Sequence, residues 1–321
     1  LLELFYEQYL KEKPNQIFLK SLKNSNSSFT WRDTYLNILK LSEELSLFLK
    51  NKDRCLLISE NRPEWMISDL AIMLARGITV PTYTTYVERD YEYLIDDCKP
   101  SVVIISDVTQ YNKIKNIIKT KPFIKKVFSF EKIKDVDEVF YVNNIFERKI
   151  FQKKNFLNLN ISRKDIACII YTSGTQSSPK GVMLSHGGIL SNCEGALFLL
   201  KDFISNKPKF LTWLPLSHSY EHTVQFVQIA IGARVFYAES IDKLIKNMTE
   251  CNPDLMTAVP RFYQNIYQKI NSTFNKIKGF KKYLINKTLF LGEKVLFKKK
   301  LSNFEKIQNF MCEKLVRKNI K

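Results

Sequence analysis

Strand-length apolar runs alternating with amphipathic helical segments predict an α/β fold, built as two successive doubly wound, mainly parallel sheets covered by helices. Three observations carry this. The runs Cys55 to Ser59, Val102 to Ser106 and Phe210 to Leu214 are continuously apolar or nearly so, as strands buried on both faces are. Helix-start signals follow the runs: Thr30 with Asp33, and Asn61 with Pro63 and Glu64. Strand and helix in alternation require right-handed crossovers, and hence parallel pairing.

The elements read in order. Two short strands, Ile17 to Lys20 and Ser28 to Trp31, flank the polar turn Asn24 to Ser28, the only low-complexity patch. Thr30 caps a helix that runs to about Lys50 and leads into strand Cys55 to Ser59. A helix carrying Trp65 to Arg76 is stopped by Gly77, then come strand Val102 to Ser106, helix Val108 to Ile118 and strand Lys126 to Phe130. The polar stretch Asp135 to Leu159 reads as a connection between two halves, residues 1–160 and 161–321. The second half supplies strand Asp165 to Tyr171, strand Val182 to Leu184, helix Gly188 to Lys201, strand Phe210 to Leu214 and helix Tyr220 to Ile231. Strand Arg234 to Ala238, helix Ile241 to Cys251 and strand Leu255 to Val259 complete it.

Composition narrows the function classes. With 45% apolar residues in 321, a sizeable core is available, and no run approaches the ~20 apolar residues of a membrane span, so a soluble chain is expected. The first residue is Leu1, and Leu1 to Tyr9 is unlike a secretory signal, which suggests that the natural start lies upstream. Six scattered cysteines without a C-x-x-C pair suggest reduced buried thiols in a cytoplasmic protein. Of the formal charge of +18, a net +12 falls between Lys269 and Lys321. Those lysines are interleaved with Phe280, Tyr283, Leu284, Leu289 and Phe290 at helical spacing, as on the wet faces of amphipathic helices. A solvated surface explains them most simply, peripheral contact with an anionic membrane comes next, and nucleic acid is not expected.

The stretch richest in chemistry is Tyr171-Thr172-Ser173-Gly174-Thr175-Gln176-Ser177-Ser178-Pro179-Lys180-Gly181-Val182, between two strands. Small hydroxyl residues and glycine leave backbone N–H and side-chain O–H groups free to converge on anionic oxygens, and Lys180 adds a full charge. Pro179 limits the freedom of the turn. It is not a Walker A loop, because Lys180 is followed by Gly181 rather than by a hydroxyl residue. A hydroxyl-rich hairpin without a ligand is the plain alternative.

This ordered string resembles the signature Y-T-S-G-T-T-G-x-P-K-G-V of the AMP-forming acyl ligase superfamily. The likeness extends through Phe29-Thr30-Trp31, Asn61-Arg62-Pro63-Glu64-Trp65, Ala75-Arg76-Gly77, and Trp213-Leu214-Pro215-Leu216-Ser217-His218 to Val259-Pro260-Arg261. Within the superfamily it is most similar to the long-chain fatty acid:CoA ligases. The resemblance implies that Thr172, Ser173, Gly174, Thr175, Gln176 and Lys180 handle the phosphates of ATP, that Thr172 also contacts Mg2+, and that His218 sits beside the carboxylate. It implies a fatty acid substrate activated as an acyl-adenylate and passed to CoA. Gln176 and Ser177 depart from the signature. A serine at a position of positive φ would cost on the order of 1 kcal/mol. The adenine and ribose sites, the hinge and the C-terminal lid domain of that family would lie beyond Lys321, so the chain is expected to be an N-terminal part, inactive alone.

Two rival readings remain at this point. His218-Ser219-Tyr220-Glu221-His222 spells H-x-x-E-H, the inverted zinc-protease motif, which needs both histidines on one face of a regular helix. The basic C-terminal segment could instead be a membrane or nucleic-acid binding module. Asp96 and Asp97 read as a solvated helix end, Trp31 and Trp65 as core, and His186 after Ser185 as part of a helix cap.

Overall fold

The structure is a computed structural model that describes residues 1–24, 27–149, 160–172, 179–204 and 207–319. The described chain forms two compact units, residues 1–257 and 258–321.

The larger unit opens with α1 (Leu2–Lys11), β1 (Ile17–Ser21), β2 (Ser28–Thr30), α2 (Trp31–Leu45), β3 (Arg54–Ile58), α3 (Pro63–Leu74), β4 (Ile78–Thr82) and α4 (Glu88–Cys98). It continues with β5 (Val102–Ile105), α5 (Val108–Lys119), β6 (Lys126–Ser129), β7 (Val139–Tyr141), α6 (Val142–Phe146), β8 (Ile166–Thr172), β9 (Lys180–Ser185) and α7 (His186–Leu200). Last come β10 (Lys209–Thr212), α8 (Ser219–Ala230), β11 (Arg234–Tyr237), α9 (Leu244–Cys251) and β12 (Leu255–Met256).

These strands form two mainly parallel sheets flanked by helices, as the sequence predicts. One has the order β7-β6-β5-β3-β4-β8-β9, with only β8 and β9 antiparallel; the other has the order β12-β10-β11-β1-β2, with only β1 and β2 antiparallel. The halves expected at residues 1–160 and 161–321 share both sheets. β1 pairs in parallel with β11, Leu19 opposite Val235, and β8 pairs with β4 through Thr79 and Cys168.

The layering follows from which side chains alternate along β3. Leu56 and Ile58 point into a core with Tyr91, Leu94 and Ile95 of α4 and Ile114 of α5. Cys55 and Leu57 point the other way, into the larger core that includes α2, α3, Phe226 of α8 and the second sheet. Eleven of the twelve residues of α3 are buried, as expected of a helix that is apolar all round and lies between two sheets. Trp31 and Trp65 are both core residues, Trp31 stacked on Phe18 at 3.7 Å between ring centroids.

Local signals explain the helix ends, with three corrections. The first is that Arg62 rather than Asn61 is the N-cap of α3 and no side chain caps it, because the amide of Asn61 is engaged by Leu214 O and Leu216 N. Thr30 and Asp33 exchange cap hydrogen bonds, each at 3.0 Å, and Pro63 occupies the first turn of α3. The stop of α3 is not Gly77 but Arg76, at φ 64°. Gly77 serves a close approach instead: an added Cβ would lie 3.0 Å from side-chain atoms of both Ile72 and Leu49. Ser185, not His186, caps α7, accepting from Gly188 N at 3.1 Å, while the ring of His186 is buried.

The smaller unit holds α10 (Pro260–Lys276), α11 (Gly279–Leu296), α12 (Asn303–Leu315) and a short 3-10 turn, Arg317–Asn319. Ser302 and Glu305 form a capping box, and Lys294 pairs with Glu305 at 2.6 Å. Ile285, Leu291 and Cys312 are its buried apolar residues, whereas α10 buries none. Among the described residues, no helix is long and apolar enough to cross a membrane.

Candidate active site

Parallel strands place their carboxyl ends on one edge, and in open α/β sheets ligands collect there. The ends of strands from both sheets border a cleft of about 420 Å³, with Ser59, Asn61, Arg62, Thr84, Trp213 and Ser217 on its walls. Its charge is predominantly acidic. Arg62 is enclosed by Glu64 at 3.1 Å, Glu131 at 3.2 Å and Glu60 at 3.6 Å. Burial alone would lower the pKa of this guanidinium, but the pairing with Glu64 and its neighbours outweighs that and raises it.

Asn61 fastens one wall. Its Nδ2 donates to Leu214 O at 2.6 Å and its Oδ1 accepts from Leu216 N at 3.0 Å, so a residue following β3 fixes the turn that leads to His218. Trp213 Nε1 donates to Thr257 O at 2.6 Å from the same turn. His218 is exposed at the start of α8, where its Nδ1 accepts from Tyr220 N at 3.3 Å.

The H-x-x-E-H residues do not converge. His222 is fully buried with Nε2 2.8 Å from Asp69 Oδ2, and Glu221 accepts from Thr257 Oγ1 at 2.6 Å, while His218 lies outside the regular helix. Burial disfavours the charged imidazolium of His222, yet the adjacent Asp69 prevails and raises its pKa. Burial raises Glu221 to about 7. No group of three or more His, Cys, Asp or Glu side chains suited to a metal occurs among the described residues, so the zinc-protease reading is not supported.

The hydroxyl-rich turn leaves the sheet between β8 and β9. Thr172 and Lys180 stand opposite each other as the last pair of that hairpin, and both are exposed. Ser173, Gly174, Thr175, Gln176, Ser177 and Ser178 lie outside the described residues. The neck is held from α4: Tyr171 Oη donates to Asp97 Oδ2, and Tyr93 Oη donates to Pro179 O at 2.9 Å. Gly181 is required by packing, because a Cβ there would come within 2.8 Å of Ile169 Cγ2 and 3.3 Å of the Tyr171 ring. Asp97, expected to be merely a solvated helix end, is thus a partner of the turn. The apolar spacing of Tyr91, Leu94, Ile95 and Cys98 was the signal that could have located α4.

A sequence model of the AMP-binding enzyme family matches residues 6–306. The chain is 30% identical to "Long chain acyl-CoA synthetase 4" of Arabidopsis thaliana over 275 residues, covering 80% of this chain and 40% of that protein. It is 30% identical to "Long-chain-fatty-acid--CoA ligase 5" of Rattus norvegicus, covering 72% of this chain and 35% of that protein. The chain therefore spans less than half the length of these curated relatives. Among solved structures, VinN superposes with a TM-score of 0.70 at 16% identity, covering 84% of this chain and 64% of that one. ATP-bound MatB from Rhodopseudomonas palustris gives 0.65 at 22%, covering 83% and 51%. These two likenesses establish the fold. With its family match spanning nearly the whole sequence and its two-sheet architecture, the chain belongs to the AMP-binding enzyme family.

Proposed function

We propose that this chain carries the phosphate-gripping part of an ATP-dependent ligase that activates a long-chain fatty acid and passes it to CoA. The observation that carries the reading is the family match over residues 6–306 together with the Thr172–Lys180 neck at the carboxyl edge of the sheet. The names of the relatives supply the substrate class.

In the first step a fatty carboxylate oxygen bonds to the α-phosphorus of ATP, the bond to the β-phosphate breaks, and pyrophosphate leaves. In the second, the thiol of CoA gives up its proton, its sulfur bonds to the acyl carbon, and AMP departs with the electron pair of the broken C–O bond. The first step brings two anions together, so positioning and cationic groups lower its barrier more than acid–base chemistry does.

Lys180 offers a full charge to the β and γ phosphates, and Thr172, with Ser173, Gly174, Thr175 and Gln176 of the turn, offers hydroxyl, amide and backbone donors. His218, exposed beside the cleft, faces the acyl carboxylate. The acidic cleft and the exposed Thr172 hydroxyl suit Mg2+ that arrives on the nucleotide; once bound, the ion neutralises phosphate charge. The exposed aromatic and lysine-bearing faces of α10 to α12 contact an anionic bilayer, and the six buried free thiols fit a reducing cytoplasm.

The test is fatty-acid-dependent ATP–pyrophosphate exchange by a polypeptide that joins this chain to the rest of the relatives' length. Exchange with long-chain acids is expected; inertness with every fatty acid would overturn the reading. Vesicle sedimentation at low salt tests the bilayer contact, and no binding to anionic vesicles would remove it.

A further inference from the structure

We infer that the turn between α11 and α12 is the element that enters the bilayer, with Leu296 and Phe297 inserting among the acyl chains and Lys298, Lys299 and Lys300 seated on anionic headgroups. This rests on the bilayer contact proposed above and names the segment that makes it. Leu296 is 76% exposed and Phe297 63%, and all three lysines are exposed. Two adjacent large apolar side chains left in water gain nothing for the fold. They gain most where acyl chains lie just beneath a layer of anionic headgroups, which is the surface that three consecutive cations also favour.

The turn is held ready for such a partner. Lys294 of α11 pairs with Glu305 of α12 at 2.6 Å across its base, and Ser302 and Glu305 cap α12 reciprocally. Further along the same two helices, Arg317 Nη2 donates to Thr288 O at 3.2 Å, and Ile285, Leu291 and Cys312 are buried. With its base fixed, the turn loses little freedom on binding. Lys298 takes φ 53° just past the end of α11, where helices usually place glycine. A lysine kept in that conformation is better explained by what its charge meets outside than by the helix end.

Charge selects the occupant. Residues 258–321 hold 16 Lys and Arg against three acids, Glu293, Glu305 and Glu313. Two of those acids are committed, Glu305 to Lys294 and Glu313 to Arg317, and among the described residues none of Lys298, Lys299 and Lys300 pairs with a carboxylate. Each lysine at an anionic lipid surface strengthens binding about fivefold. A single-stranded polynucleotide would answer the lysines and offer Phe297 a base to stack on, but it gives Leu296 nothing. An anionic bilayer accounts for both halves of the turn.

The experiment is sedimentation of this chain with phosphatidylcholine vesicles that contain about one third phosphatidylserine. It is paired with the fluorescence of Phe297→Trp on vesicles whose acyl chains carry bromine, a contact quencher. Changing Lys298, Lys299 and Lys300 together to Gln is expected to weaken binding about a hundredfold, and Leu296→Ser and Phe297→Ser about tenfold each. All five positions are exposed, so thermal midpoints should stay close to that of the parent. Phe297→Trp should shift to the blue on binding and be quenched beyond the parent's own tryptophans. Vesicle binding that survives all of these substitutions, or no added quenching in Phe297→Trp, would overturn the inference while leaving the bilayer contact in place. A parent chain that ignores the vesicles, or that prefers a polynucleotide to them, would overturn both.

Discussion

His222 Nε2 lies 2.8 Å from Asp69 Oδ2, joining α8 to α3 where both side chains are shut away from solvent. Gln225 Nε2 donates to the same carboxylate oxygen at 2.9 Å, and the Trp65 ring stands edge-on to the imidazole at 5.3 Å. This pair ties the helix that follows His218 to the helix between the sheets. Asp69→Asn leaves a buried imidazole without its counter-charge and is expected to cost about 3 kcal/mol or more in urea unfolding. Because the folded-state pKa of His222 is raised, the pair's contribution is fully present below about pH 6.5 and fades as pH climbs through the folded value. The gap between parent and variant should therefore narrow in alkaline buffer; a gap that widens would contradict the pairing.

Glu221 carries a second pH dependence of the same direction. Its carboxyl is buried and raised to about 7, so the folded chain holds a proton that the unfolded chain releases near pH 4.3, and stability declines as pH rises between those values. Glu221→Gln should match the parent in unfolding free energy near pH 4 and exceed it at pH 8 by about 1 to 3 kcal/mol. Equal melting at both pH values would show that the carboxyl is not held protonated.

Asn61 clasps the turn before His218 through two hydrogen bonds. Asn61→Ala leaves Leu214 O and Leu216 N without these partners and is expected to cost about 2 kcal/mol. Asn61→Asp keeps the acceptor for Leu216 N and should lose part of that, because its second oxygen faces a carbonyl. The order Asn61, Asp, Ala in chemical-denaturation midpoints checks this.

Gly181 fits because Ile169 and Tyr171 occupy the space a side chain would need. Gly181→Ala is expected to destabilise by about 1 to 3 kcal/mol through overpacking, and Ile169→Ala in the same chain should recover part of the loss. Urea midpoints of the two single variants and the double variant decide it.

Much of this architecture was legible from residue patterns. Thr30 with Asp33 and Pro63 with Glu64 mark helix starts through local hydrogen bonding and backbone restriction, and such signals need no tertiary partner. β4 was missed because Pro81 argues against a central strand. It is accommodated because the pairing of β4 with β8 occurs at Thr79, before the proline is reached. α1 was missed for want of a side-chain cap at its start. The sharing of sheets between the halves was not legible either: β1 meets β11 across more than two hundred residues, and no local pattern encodes that partner.

The site divides in the same way. Thr172, Lys180 and His218 were identified from an ordered string of side chains, and the structure describes each at the end of a strand or helix. Tyr93, Asp97 and Asn61 were missed as parts of it because they act through main-chain or tyrosine partners far away in sequence. The H-x-x-E-H string stayed open only as a rival, because spacing alone does not tell that His222 turns inward to Asp69.

The central claim is that the turn between Thr172 and Lys180 grips the triphosphate of ATP. Phosphorus NMR of MgATP titrated with this chain tests it most directly. The β and γ resonances should shift and broaden on addition of the parent protein, and Lys180→Ala should abolish most of that change. Phosphate resonances that stay unmoved by the parent, or that respond equally to Lys180→Ala, would contradict the account.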